Sequence, residues 1–454
     1  MHLVLLLSLA GIAIPVPGGA VPGGQAPGAV ASVPAEGLPL TIADAVQRGL
    51  SHNLRVLEAE QDQARAEGSR RAALSALLPQ AAARVSETRQ TVNLAAFGFP
   101  LPGIAPLVGP FNVFDGRVSV SQSVFDLNRL HAVRAETSKV AASRFSYRNT
   151  RDLVVLATAN AYLQVLAAAA RADAVRAERD TAEALHEQAR TLKASGLIAG
   201  IDVVRAEVRL STERQRLTAA DAAYRKAKLD LGRLIGLPAT QTFSVRAVRF
   251  VPAPAVTAAQ ALSRAEASRP DLKAAAARVQ VAEEERRAVR GEALPSVRVA
   301  GDYGPTGLSP ATARATYRAG AEVNIPIFQG GRVGGRMAEA DADLRQRKAE
   351  LEDLRASVAY DIEGAFLDLR ATEEQYQVAT RAQSLADLQL TQARDRFAAG
   401  VASSIEVVQA QEDVAAAAER LIDSLYRFNA AKVVLAHVMG EGEASWAAFL
   451  GGQQ

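Results

Sequence analysis

The chain carries its plan twice. The segment Gly196-Leu-Ile-Ala-Gly-Ile-Asp-Val-Val-Arg-Ala-Glu207 returns 204 residues later as Gly400-Val-Ala-Ser-Ser-Ile-Glu-Val-Val-Gln-Ala-Gln411. Each copy runs without a gap to a further glycine, Gly236 and Gly440. Upstream, Ser123-Val-Phe-Asp-Leu-Asn-Arg129 corresponds to Pro326-Ile-Phe-Gln-Gly-Gly-Arg332 at an offset of 203. Leu78-Pro79 corresponds to Leu294-Pro295, and the segment starting at Leu40-Thr41 to that starting at Val256-Thr257. Solenoid repeats are roughly 20–50 residues long, so a period near 200 marks a duplicated half-protein instead. The halves are expected at 40–236 and 257–440, with a linker 237–256 containing Pro252 and Pro254, and a tail 441–454.

Each half predicts the same series of helices. A short one covers Thr41 to Leu50 or Thr257 to Ser268, and a medium one Leu54 to Leu77 or Asp271 to Leu294, stopped by Pro79 and Pro295. A very long helix then covers Asn128 to Ala194 or Arg332 to Ala398, and a second long one Ile201 to Ile235 or Ile405 to Met439. The second long helices repeat every seven residues. Their seams are Val203, Leu210, Leu217, Tyr224, Leu231 and Val407, Val414, Leu421, Phe428, Leu435. The alternate seam position is mostly small: Ala206, Ala220 and Ala227, then Ala410, Ala417, Ser424 and Ala431. Such heptads pack closely with a left-handed supercoil. A helix of about 65 residues is about 100 Å long. That length suits a rod or a tube rather than a rounded domain.

Between the medium and long helices the period changes from seven to two. Val118, Val120 and Val124 alternate with Arg117, Ser119, Ser121 and Ser123. Tyr317, Ala319, Ala321, Val323, Ile325 and Ile327 alternate with Arg318, Gly320, Glu322 and Asn324. Val297, Val299 and Tyr303 alternate with Ser296, Arg298 and Asp302, and a weaker strand covers Ala81 to Asn93. About ten residues with one apolar and one polar face is the pattern of a membrane strand. The β-hairpins are expected at about 81–126 and 296–328. In lipid a sheet must close on itself, and closed barrels start at about eight strands. Four strands per chain therefore require partner copies: two give eight strands, three give twelve. The turn Ala95 to Asn112 holds four prolines and no charge, as expected of a loop packed over the barrel mouth.

Composition removes most chemistry. There is no cysteine, hence no disulfide, thiolate metal site, cysteine nucleophile or cysteine-linked lipid. A net charge of +3 argues against a nucleic-acid partner. His2, His52, His131, His186 and His437 show no metal-ligand spacing, so no metal and no cofactor is expected. Gly330-Gly-Arg-Val-Gly-Gly335 lacks the Lys-Ser/Thr of a phosphate loop and reads as a strand-to-helix turn. No enzyme site emerges. The apolar run Leu3 to Val16 reads as the core of a signal peptide in 1–20, followed by a flexible Pro/Gly-rich segment over 21–39.

With these residues in view, the chain resembles the TolC family of outer-membrane efflux and secretion channels. The resemblance rests on the two Gly-x-x-x-x-Ile-Asp/Glu-Val-Val turns, Ile327-Phe-Gln-Gly-Gly-Arg332, the Leu-Pro pairs and Arg269-Pro-Asp-Leu272; the first half departs at His52-Asn53-Leu54, which lacks the proline. It implies a mainly α fold in which long antiparallel helical hairpins form an α-barrel, with four strands per chain completing a twelve-stranded β-barrel in a homotrimer. It implies an outer-membrane site, with lipid against Val118, Val120, Val124, Val323 and Ile325, and a tunnel reaching into the periplasm. It implies a periplasmic adaptor protein at a tip formed by Gly196, Leu197, Gly200, Ile201, Gly400, Val401 and Ile405. An inner-membrane pump of RND, ABC or MFS type would supply the energy. The periplasmic gate maps to Asp202, Phe397, Ala402, Glu406 and Gln409, where the family's tyrosine and arginine positions hold Phe397 and Ala402. Three Glu406 carboxylates would then favour cations at the constriction. The function expected is passive exit for a tripartite efflux pump or type I secretion system. The competing reading is a structural coiled-coil protein of the cell envelope without channel activity.

Overall fold

Both copies of the Leu/Val-Thr element open on the same hydrogen-bonded box. In a computed structural model, which describes residues 38–98, 105–248, 251–253, 255–399, 401 and 404–450, Thr41 caps helix α1 (Ile42–His52) and exchanges bonds with Asp44. Thr257 caps α5 (Ala258–Ser268) and does the same with Gln260. Each box satisfies two otherwise orphaned N–H groups and stabilises its helix by about 1 kcal/mol. The signal-peptide and most of the flexible-segment readings lie outside the described residues.

The remaining elements follow in duplicate. The medium helices are α2 (Leu54–Ser75) and α6 (Pro270–Gly291). They stop two to three residues short of the sequence expectation, because the last residues before Pro79 and Pro295 tighten into hydrogen-bonded turns. The long helices are α3 (Leu127–Ala194) and α7 (Arg332–Ala398), of 68 and 67 residues. Their partners, α4 (Gly200–Leu234) and α8 (Ser404–Val438), have 35 residues each. α3 packs on α4, and α7 on α8. The heptad seams are buried where expected, at Leu210, Leu231, Val407, Phe428 and Leu435.

The strands β2 (Gln80–Asn93), β3 (Leu107–Phe125), β5 (Ser296–Gly307) and β6 (Arg314–Asn324) form one antiparallel sheet in the order β2-β3-β5-β6. Each strand leads to or from a helix through an anchored joint. Arg129 donates to the Ala76 carbonyl at 2.7 Å, and its repeat partner Arg332 reaches Glu292 at 2.5 Å. Gly330 and Gly331 both hold positive φ where the chain turns into α7, the conformation that makes glycine necessary there.

Besides a 3-10 turn at Leu94–Phe97, three elements escaped the sequence reading. β1 (Leu38–Leu40) and β4 (Phe243–Val245) form a short parallel sheet. α9 (Gly442–Leu450) lies within the tail. Ile325 is a correction of another kind: β6 ends at Asn324, paired with Ser296. The next position on β5's side is Pro295, which has no N–H, and Pro326 follows Ile325, so the ladder stops.

The two larger apolar cores fall one to each half. The first gathers Leu40, Val46, Val155, Tyr162, Leu231, Ile235, Phe243 and Trp446. The second gathers Ala261, Leu272, Val358, Ile362, Phe428, Leu435, Met439 and Phe449. α9 thus inserts Trp446 into one core and Phe449 into the other. One stretch of α3 is long and apolar enough to cross a membrane. Its residues instead build the first core: Val155, Tyr162 and Val165 are at most 1% exposed.

Candidate functional site

The sheet sorts its side chains by chemistry. The register sets Ala83 beside Val118, Val118 beside Tyr303, and Tyr303 beside Tyr317. A neighbouring row runs Ala81, Val120, Gly301, Ala319, and another pairs Val297 with Val323. This apolar face is bare: Val118 is 53% exposed, Val323 57% and Tyr317 81%. Val124 sits where the register slips between Ser123 and Phe125. It is exposed and lies at a bulge rather than in the regular alternation. The opposite face is polar. Arg117 is held at 2.8 Å from Asp115 and 2.5 Å from Asp302, and beside them lie Arg84, Arg298, Arg318 and Glu322. Among the described residues β2 and β6 each pair along one side only. A mainly apolar face and two free ladders of N–H and C=O groups would be unstable in an isolated sheet.

The helical tip lies at the other end of the long helices. α3 stops at Ala194, and Gly196 takes φ 72°. The Gly196 N–H then reaches Lys193 O and the Leu197 N–H reaches Leu192 O, both at 2.9 Å. This closure of the last turn requires a left-handed residue, which explains the glycine. In the second copy the Val401 N–H reaches Arg396 O at 3.0 Å. Leu197, Ile201, Val401 and Ile405 are all more than half exposed, so each tip presents apolar side chains to solvent. Gly200 is the first residue of α4. Gly400, Ala402 and the Phe397 side chain lie outside the described residues.

Asp202 and Glu406 both stand in the first turn of their helices, where the helix dipole favours a negative charge. Neither is alone. Asp202 lies 3.4 Å from Arg205, and Glu406 lies 3.3 Å from Arg396 across the tip. Gln409 is exposed one turn further on. A bare ring of Glu406 carboxylates, as the sequence suggested, is therefore not what the chain presents. Arg396 was missed because it lies ten positions away on the facing helix, next to Phe397.

Above the tip, a second charged cluster ties the two hairpins together. Arg209 of α4 reaches Glu412 of α8 at 2.7 Å and Glu213 at 3.0 Å. Glu213 is fully buried. It occupies the small-residue seam position between Ala206 and Ala220, and that break in the pattern was the available signal. Its neighbour Glu178 is pushed up by burial and by the Glu213 charge. Arg171 and Asp423 make a further link between α3 and α8 at 2.9 Å. Among the described residues no group of acids and histidines could hold a metal.

Comparison with known proteins agrees with this architecture. A family profile described as outer membrane efflux protein matches residues 45–237 and 261–441. The chain is similar to the outer membrane efflux protein BepC of Brucella suis, at 25% identity over 330 residues and 71% of each chain. It is similar to OpmQ of Pseudomonas aeruginosa, a pyoverdine export outer membrane protein, at 25% identity over 385 residues, covering 81% of this chain and 78% of that one. The fold matches the CmeC outer membrane channel of Campylobacter jejuni with a TM-score of 0.77 at 18% identity, covering 88% of this chain and 86% of that one.

Proposed function

Since the chain belongs to the outer membrane efflux protein family, and so is an outer-membrane efflux channel and not an enzyme, we propose that three copies close its four-stranded sheet into a twelve-stranded barrel continued by a helical tunnel through the periplasm. The observation that carries this reading is the sheet itself. It has one bare, mainly apolar face, one polar face and, among the described residues, two unpaired edges. Joining β6 of one copy to β2 of the next satisfies both ladders, and lipid covers Val118, Val120, Val124 and Val323. Ile325 lies beyond the strand end, at the membrane rim. A rod-like coiled coil without a channel has no use for such a sheet.

Family members work with a periplasmic adaptor and an inner-membrane pump. Here the exposed Leu197, Ile201, Val401 and Ile405, with Gly196, Gly200 and Gly400, form the adaptor-docking surface. Asp202, Phe397, Ala402, Glu406 and Gln409 form the periplasmic gate. The duct is passive, with energy supplied by a pump of RND, ABC or MFS type. BepC, named for efflux, and OpmQ, named for pyoverdine export, favour a tripartite efflux pump over a type I secretion system.

Single-channel recording of the protein in planar bilayers tests the duct. Discrete, long-lived conductance steps are expected. Val120→Arg, mid-sheet beside Gly301, should destabilise the membrane-embedded assembly by roughly 2–4 kcal/mol, and Val323→Arg, one residue from the end of β6, by about 0–1 kcal/mol, following the depth dependence of charge on a lipid face. Normal assembly of Val120→Arg would contradict a lipid-facing sheet.

A further inference from the structure

The polar face of the sheet is not balanced in charge. On the same face as Arg117 lie Arg84, directly opposite it, Arg298, opposite Glu322, Arg318, opposite Asp302, and Arg314, and the carboxylates of that face are Asp115, Asp302 and Glu322. Five arginines against three carboxylates leave +2 per chain. Two of the carboxylates, Asp115 and Asp302, are already held by Arg117. Arg84, Arg298, Arg314 and Arg318 are exposed, and among the described residues they make no ion pair; Glu322 makes none either. The opposite, apolar face has no charge in the rows from Ala81 to Val323 that contain the valines and tyrosines.

We propose that this arginine-rich face makes the barrel an anion-preferring conduit, suited to anionic solutes such as organic carboxylates, sulfonates and phosphates. This rests on the closed trimeric barrel proposed above, in which the polar face lines the lumen with a net charge of +6. Twelve strands spaced about 4.8 Å apart and tilted about 40° enclose a tube about 25 Å across, backbone to backbone. Its radius is close to the Debye length of about 10 Å at 0.1 M salt, and well inside the 30 Å at 0.01 M. The wall potential therefore fills the lumen in dilute salt and retreats to the wall in concentrated salt. The guanidinium group also binds carboxylate and phosphate in a bidentate manner, so the wall offers transient sites as well as a field. The tip does not cancel this. Asp202 and Glu406, its acids at the helix starts, are paired within their own chain with Arg205 and Arg396.

Reversal potentials across a KCl gradient decide the matter. The wild-type channel should pass chloride over potassium by about two- to fivefold in dilute salt, falling towards one in 1 M salt. Arg84→Gln combined with Arg298→Gln and Arg318→Gln should remove the preference. Glu322→Gln should increase it, a change of opposite sign that general damage to the barrel does not produce. The same set in a Glu406→Gln background removes the tip carboxylate from consideration. Potassium preference in the wild type, or a chloride preference untouched by the triple arginine substitution, would overturn the proposal while leaving the duct intact. Absence of any conductance from a trimer would overturn the duct reading and the anion preference together.

Discussion

The two halves close the same joint with opposite chemistry. In each, a short helix turns into a medium one against the end of a long helix, just before a left-handed glycine. The first half uses a neutral side chain. Asn53 caps α2, accepting the Arg55 N–H at 3.0 Å, and donates to Leu234 O at 3.2 Å. The second half uses an ion pair between a buried arginine and a half-buried aspartate. Arg269 grips Asp271 at 2.6 Å and 3.0 Å and donates to Val438 O at 3.3 Å, with Asp361 3.8 Å away. Duplication preserved the place of the joint and not its means. A neutral joint is indifferent to the loss of one partner's charge, whereas a buried ion pair that loses one partner leaves the other charge without compensation.

The largest expected difference follows directly. Arg269→Ala strips half-buried Asp271 of its charge partner, leaving it the Leu272 N–H, and should cost about 2–4 kcal/mol. Asn53→Ala should cost only about 1–2 kcal/mol, the worth of a cap and one hydrogen bond. Chemical denaturation of the detergent-solubilised variants reads both. Equal losses would mean that the two joints are energetically the same despite their chemistry.

Acidity separates the halves next. Asp152, on α3 of the first half, holds the α9 N-terminus by accepting the Glu443 N–H at 2.9 Å. Burial raises it to about 6. A carboxyl raised in the folded state contributes stability that is complete below its unfolded value near 3.9 and is lost as pH rises through about 6. The change is about 3 kcal/mol. In Asp271 burial pushes upward, but the Arg269 bonds win and hold it below its ordinary value. Its contribution has the opposite slope: present above the unfolded value and lost as pH falls. Asp152→Asn keeps an acceptor for the Glu443 N–H and should flatten the first slope alone. Hydrogen exchange of α9 between pH 4 and 7 measures it, and an unchanged slope in that variant would contradict the assignment.

The smallest difference concerns the glycines. Gly236 and Gly440 have φ of 71° and 73°, so alanine costs about 1–2 kcal/mol at either. A methyl group at 236 would meet the His52 Cβ at 2.6 Å, whereas at 440 it would meet the Arg269 backbone at 2.7 Å. Three Arg269 atoms, Cα, Cγ and N, stand at 2.7 Å from it at 440, whereas at 236 the next atom is 3.3 Å away, so Gly440→Ala should be the worse by about 1 kcal/mol. A lower melting temperature for Gly236→Ala would reverse the comparison.

What could be read in the sequence was what repeats along it. The heptads of α4 and α8, the period-two strands and the Thr-initiated helices are local patterns, and each appeared twice. What could not be read depends on contacts between distant residues. β1 and β4 are three residues long, too short to show a period, and exist because Leu40 and Phe243 share a core. α9 is defined by Trp446 and Phe449 entering two different cores. At the tip, the turn glycines and acids were visible, but the Arg396–Glu406 and Arg209–Glu412 pairs belong to facing helices. Glu213 was visible as a break in a seam and was passed over. Ile325 was misplaced because alternation continues past the point where the prolines end the hydrogen-bonded ladder.

The central claim is the closed sheet, and the native mass of the complex extracted from outer membranes tests it most directly. Corrected for bound detergent, that mass should correspond to three chains of 47.8 kDa or slightly less after removal of a leader. A monomer, or an open-ended series of masses, would contradict the closed barrel, and with it the duct.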